Sequence, residues 1–295
     1  MIRTVPPMSD RYIPGVPCWV DTTQPDPEAA VAFYGELFGW EFEDVMPPGS
    51  PRPYHVARLR GGDVAAVTSP AEGAPQAAVW NTYVCVEDAE VIAARVHAAG
   101  GSVLMEPGEV GDAGRMAIFA DPDGAAFRVW EPNQHRGAAI VNEHGSVNFN
   151  DLNARDMDAA AAFYGAVFGW EIIPVGGGFS SWALPGYGDF LETRNPGMRE
   201  GMAAMGAPER FEDVVASVNP AADDTPAHWG LTFAVDDTDA IAATAEKLGG
   251  NVIVPPFDAP WVRMAVISDP QGATFTASKF VPENKEVAQG ATSAT

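Results

Sequence analysis

Cysteine is nearly absent from this sequence. Only Cys18 and Cys85 occur, without CxxC spacing, so a disulfide framework is excluded. A reducing, cytoplasmic setting is the expectation. Basic residues are scarce as well: 17 Lys plus Arg stand against 40 Asp plus Glu, a net charge of −23. A chain so poor in cations is not built to grip nucleic-acid phosphates or an anionic membrane surface. No run of about 18 apolar residues is present, so no bilayer span is expected. Met1 to Tyr12 holds no apolar stretch of signal-peptide length. The five histidines, His55, His97, His135, His144 and His228, show no metal-ligand spacing, and only His228 falls near the cavity inferred below. The run Gly176-Gly177-Gly178 lacks the lysine of a phosphate-binding loop and reads as a plain loop.

What is present is an internal repeat. Cys18 to Glu41 (CWVDTTQPDPEAAVAFYGELFGWE) aligns without a gap on Asn148 to Glu171 (NFNDLNARDMDAAAAFYGAVFGWE), with half the positions identical. Trp80 to Gly101 matches Trp229 to Gly250. GRMAIFADPDGAAF from Gly114 matches VRMAVISDPQGATF from Val262. The length of 295 residues and an apolar share of 46% suit two globular domains. The repeat sets them at 14–135 and 144–282, with an extension 1–13, a linker 136–143 and an unstructured polar tail 283–295.

Each copy has an inner order. Asp26 is placed to cap a helix that runs to Phe38 and stops at Gly39. Strands follow at Trp40–Asp44, Tyr54–Leu59 and Val64–Thr68. The pattern then restarts with a strand at Asn81–Val86 and a helix at Ala89–Ala99, closed by Gly100-Gly101. Strands at Val103–Met105, Arg115–Ala120 and Ala126–Trp130 complete it, the last two joined by the tight turn Asp121-Pro-Asp-Gly124. The unit is strand, helix, three strands, and it occurs four times.

The pattern D-x-x-x-A-x-x-FY-x-x-x-FGW, then AAGG, then DPDG-x-x-F, resembles the vicinal oxygen chelate superfamily, which includes glyoxalase I, bleomycin-resistance proteins and extradiol dioxygenases. The resemblance covers nearly the whole chain. It is strongest to a two-domain actinobacterial branch of hydroxylase-like and glyoxalase-like proteins, among them auxiliary proteins of aromatic polyketide pathways. It implies an α+β fold of two tandem domains, whose four βαβββ units form open eight-stranded barrels around pockets.

Enzymes of that superfamily hold a divalent metal with His, Gln or Glu on the first strand of each unit and Glu on the last. Carried over by motif, those positions fall on Trp19, Asn81 and Arg128 in copy one, and on Phe149, Gly230 and Thr276 in copy two. None is His or Glu. A slip of one or two residues offers Asp21, Asp151, His228 and Glu131, which do not make two complete sets. No metal or other cofactor is therefore expected.

The expected ligand-facing set is Trp19, Arg128 and Trp130, which strand alternation puts on one inward face of copy one, their counterparts Phe149 and Thr276 in copy two, and Trp80, Tyr83 and Trp229 on the neighbouring strands. Aromatic faces with a few polar groups suit a flat, mostly apolar ligand. Asp21 and Asp151 match between copies, as do Arg115 and Arg263. They are the catalytic candidates, Asp as base and Arg as oxygen-holding cation. An internal Asp–Arg brace is the preferred alternative. Buried, inert thiols are expected at Cys18 and Cys85.

The function these readings favour is metal-independent binding of a small aromatic or carbonyl-bearing molecule. The role would be accessory or protective in secondary metabolism, beside an oxygenase. The alternative is an enzyme of the superfamily's kind: a lyase, isomerase, dioxygenase or hydroxylase. A purely structural protein is disfavoured, because such barrels form concave sites.

Overall fold

The structure, a computed structural model, describes residues 11–176, 178–222 and 224–289. Copy one contributes β1 (Pro17–Thr23), α1 (Pro27–Phe38), β2 (Glu41–Asp44), β3 (Tyr54–Leu59), β4 (Gly62–Thr68), β5 (Val79–Cys85), α2 (Ala89–Ala98), β6 (Ser102–Val110), β7 (Gly114–Ala120) and β8 (Ala126–Pro132). Copy two contributes β9 (Ser146–Ala154), α3 (Met157–Phe168), β10 (Glu171–Gly176), β11 (Phe179–Ala183), α4 (Tyr187–Arg194), α5 (Met198–Met205), β12 (Val214–Pro220), β13 (His228–Ala234), α6 (Thr238–Lys247), β14 (Asn251–Ala259), β15 (Val262–Ser268) and β16 (Thr274–Phe280). The fold is α+β, with two tandem eight-stranded mixed sheets. Their strand orders are β2-β3-β4-β1-β5-β8-β7-β6 and β10-β11-β12-β9-β13-β16-β15-β14. Both sheets are open, since each order ends in edge strands.

The helices begin and end where their sequences dictate. Asp26 Oδ1 accepts from the Ala29 amide, Pro27 opens α1, and Gly39 leaves it at φ 70°. Asp156, Asp88 and Asp237 cap α3, α2 and α6 in the same way. Each such cap stabilises its helix by about 1 kcal/mol. The glycine pair after α2 divides two tasks. Gly100 takes φ 82°, which an L side chain resists. Gly101 is a close approach: a Cβ there would lie 2.7 Å from both the Ala120 carbonyl oxygen and the Phe163 ring.

Packing groups the chain into two compact units. The first joins the residues up to Cys18 with Tyr83–Gly137 and Asp151–Trp229. Its core sets Ile92 and Val96 of α2 and Phe163, Tyr164 and Phe168 of α3 against Phe119 and Phe127. The second joins Trp19–Thr82, Ala138–Asn150 and the chain from Gly230 on. Its core sets Phe33, Tyr34 and Phe38 of α1 and Ile241 of α6 against Trp80, Phe233 and Phe275. Each unit thus contains parts of both copies.

Three local differences from the sequence reading have physical causes. The edge strands β6 and β14 are nine residues long, because register shifts let them stay paired to β7 and β15 through their prolines. Helices α4 and α5 interrupt copy two, where copy one has a tight β3–β4 hairpin. Residues 283–289, expected to lack structure, fall in the 3-10 helix Pro282–Gln289. Asn284 holds it through Asp258 Oδ1 and the Val262 carbonyl. The rest of the expected tail, 290–295, and most of the extension 1–13 lie outside the described residues. Among the described residues no helix is long and apolar enough to cross a membrane.

Candidate functional site

In the second unit, β1 carries Trp19, Asp21 and Thr23 on one face, by the two-residue alternation of a strand. Asp21 is 2% exposed, which makes its hydrogen bonding decisive. Asn81 of β5 donates its amide to Asp21 Oδ1 at 2.7 Å and to Thr23 Oγ1 at 3.0 Å. Tyr54 of β3 donates to Asp21 Oδ2 at 3.3 Å and accepts from the Trp19 indole N–H at 2.9 Å. The result is a chain from indole to phenol to carboxylate to amide.

In the first unit, β5 and β8 pair in parallel with Tyr83 opposite Arg128 and Cys85 opposite Trp130. The Arg128 guanidinium lies 5.5 Å from the centroid of the Tyr83 ring. Arg128 is half-buried. It forms no ion pair among the described residues, whereas Arg58, Arg115, Arg199, Arg210 and Arg263 each hold carboxylates. Trp130 donates its indole N–H to the His135 carbonyl at 2.8 Å. The Cys18 and Cys85 thiols are hydrogen-bonded to each other, and burial pushes the Cys18 thiol upward.

Copy two repeats the geometry with different chemistry. Thr232 lies opposite Thr276 in the β13–β16 register, the places of Tyr83 and Arg128. Gly230 stands where copy one has Asn81. Phe149 and Asp151 are half-buried on β9. His228 is exposed, with Nδ1 2.9 Å from the Pro226 carbonyl oxygen.

Other expected site residues have different surroundings. Trp80 and Trp229 belong to the two cores, and their indole N–H groups go to the hydroxyls of Tyr34 at 3.1 Å and Tyr164 at 3.0 Å. Arg115 binds Glu90, Glu109 and Glu131, and Arg263 binds Asp239 and Asp258. These arginines tie a helix to a sheet edge, and their carboxylates are not Asp21 or Asp151. Tyr54, Thr23 and Thr232 were not anticipated. A lone tyrosine opening a strand gives no signal until the strand's neighbours are known.

A family model, described as Glyoxalase/Bleomycin resistance protein/Dioxygenase superfamily, matches residues 19–129 and 146–276. This chain belongs to that superfamily. It is 39% identical over 280 residues to "Putative glyoxylase CFP32" of Mycobacterium tuberculosis (strain CDC 1551 / Oshkosh), covering 94% of this chain and 99% of the relative. It is 34% identical over 294 residues to "Anthracycline biosynthesis protein DauV" of Streptomyces sp. (strain C5), covering 95% and 99%. The Mn(II)-bound glyoxalase from Novosphingobium aromaticivorans shares the fold with a TM-score of 0.58 at 15% identity, over 90% of this chain and 82% of that one. The 2,3-dioxygenase LapB from Pseudomonas sp. KL28 does so with 0.57 at 12% identity, over 90% and 91%.

The residues at the superfamily's metal positions do not fit a divalent ion. Metals need carboxylate, imidazole, thiolate or carbonyl donors. Trp19 offers an indole N–H that is already donated, and Asn81, whose amide N–H groups go to Asp21 and Thr23, offers only a neutral amide oxygen, a weak ligand. Arg128 is itself a cation. Phe149 and Gly230 bring no ligating side-chain atom, and Thr276 brings a neutral hydroxyl. Among the described residues no group of three or more His, Cys, Asp or Glu is placed to hold a metal.

Proposed function

We propose that this chain binds a small, planar, aromatic or carbonyl-bearing molecule without a metal ion, as an accessory or protective protein of secondary metabolism. The ligand elements are Tyr83, Arg128 and Trp130, carried by the paired strands β5 and β8 within the first unit. The observation that carries the reading is Arg128, a half-buried cation over an aromatic ring with no carboxylate partner among the described residues. An arginine there opposes a metal cation and welcomes an electron-rich oxygen. Two relatives named as anthracycline biosynthesis proteins, at 34% and 35% identity, support a polycyclic aromatic ligand.

Magnitudes allow it. Micromolar binding needs about 8 kcal/mol. A charge-assisted hydrogen bond from Arg128 contributes about 1.5–3 kcal/mol, and ring stacking about 0.5–1.5 kcal/mol. Apolar burial at about 25 cal/mol per Å² supplies the remainder. Thr232 and Thr276 equip copy two for neutral ligands, or for weaker binding.

A second reading, catalysis by the superfamily's kind of enzyme, draws on Asp21, a buried carboxylate positioned by Tyr54 and Asn81.

Tryptophan fluorescence titration with a hydroxyanthraquinone tests the binding reading. Saturable quenching at micromolar ligand is expected, with affinity falling about tenfold or more in Arg128→Ala. No quenching beyond the inner-filter effect would contradict it.

A further inference from the structure

Resting on that reading, we propose that Arg128 selects the ionised form of its ligand, a planar hydroxy-carbonyl whose hydroxyl sits beside the carbonyl, bound as phenolate or enolate.

The argument starts from the charge of the whole chain. With a net −23, the protein repels anions from most of its surface, so an anion is retained only where a cation is locally dedicated to it. Most half-buried arginines here already have such partners. Arg115 serves three glutamates, Arg263 two aspartates, and Arg52 the Ser69 carbonyl. Arg128 has its ring contact with Tyr83 and no ion pair among the described residues. A guanidinium is planar and carries paired N–H donors along its edges. Two parallel donors of one edge match two oxygens held side by side on one rigid ligand.

Proton bookkeeping then falls on the ligand. Arginine stays protonated throughout the ordinary pH range. A hydroxy-carbonyl that loses its proton spreads the negative charge over both oxygens, and each oxygen then faces an N–H. The neutral form offers one of the two positions an O–H, which a donor edge does not accept. Binding therefore lowers the ligand's pKa and releases its proton to solvent. Copy two contains its own control. Thr232 and Thr276 occupy the register-matched places and carry no charge, so ion selection belongs to copy one.

The test uses quinizarin (1,4-dihydroxyanthraquinone), each of whose hydroxyls lies beside a carbonyl and whose ionisation changes its visible spectrum, titrated against pH alone and with saturating full-length protein. A 10- to 100-fold preference for the anion is expected, which lowers the bound ligand's apparent pKa by about 1–2 units. Arg128→Gln is expected to return that pKa to the free value or above it. Arg128→Lys, which keeps the charge but not the planar fork, is expected to retain only part of the shift, and it covers the case in which the Gln variant does not fold. Binding by the wild type with an unchanged or raised pKa overturns ion selection and leaves the binding proposal standing. An undiminished shift in either variant overturns the assignment to Arg128. Absence of binding at every pH overturns both.

Discussion

Tyr34 and Asp269 are 235 residues apart in the sequence, and the Tyr34 hydroxyl donates to Asp269 Oδ2 at 2.9 Å. The same contact recurs between Tyr164 and Asp121 at 3.1 Å. Each carboxylate uses its other oxygen to close the turn that follows it, through the amides of Gln271 and Ala273 or of Asp123 and Ala125. This gives the FY and DPxG motifs one shared purpose, because the helix of one copy is pinned to the last turn of the other.

Removing either partner should therefore destabilise the chain. Tyr34→Phe and Asp269→Asn are each expected to cost about 1–3 kcal/mol, with the double variant costing less than their sum. Urea unfolding of the four-member cycle measures this. Additive costs would show that the contact carries no coupling.

Alkaline pH should unmask the same residues. Burial and the nearby Asp269 carboxylate hold the Tyr34 hydroxyl well above the usual tyrosine range, and burial with Asp121 does so for Tyr164. Burial also raises Tyr12, and pushes Tyr187 up to about 12. The folded state thus favours the protonated phenols. Their contribution to stability is fully present below the unfolded value of about 10 and falls as pH rises above it. Tyrosinate absorbance is expected to show Tyr12, Tyr34 and Tyr164, among the six tyrosines, ionising only as the chain unfolds. Reversible ionisation of all six in the folded protein would contradict this.

The two arginine braces should matter to stability and not to binding. Arg115→Ala and Arg263→Ala are expected to lower the melting temperature modestly, and less at high salt, because their carboxylate partners are mostly exposed. Hydroxyanthraquinone affinity should not change. A large loss of affinity at an unchanged melting temperature would return these arginines to the ligand site.

The repeat made much of this architecture legible. Asp26, Gly39 and the paired glycines mark helix ends by local rules, and their recurrence marks the second copy. Trp80 and Trp229 show where local reading stops. Their indole partners, Tyr34 and Tyr164, lie 46 and 65 residues away, so their place on strands beside the expected pocket assigns them a ligand-facing role that the packing does not give them. Arg115 and Arg263 were recognisable as a matched pair, but nothing near them in the sequence says which carboxylates they hold. Helices α4 and α5 escaped because copy one has no counterpart to align, and both start at glycines without a side-chain cap.

Metal content of the purified protein, read together with ligand affinity before and after chelation, tests the central claim most directly. The indole, amide and guanidinium at the superfamily's metal positions predict no stoichiometric Zn, Fe, Mn or Ni. They also predict a hydroxyanthraquinone affinity and a melting temperature unchanged by chelator. A stoichiometric divalent metal whose removal abolishes binding would contradict the account.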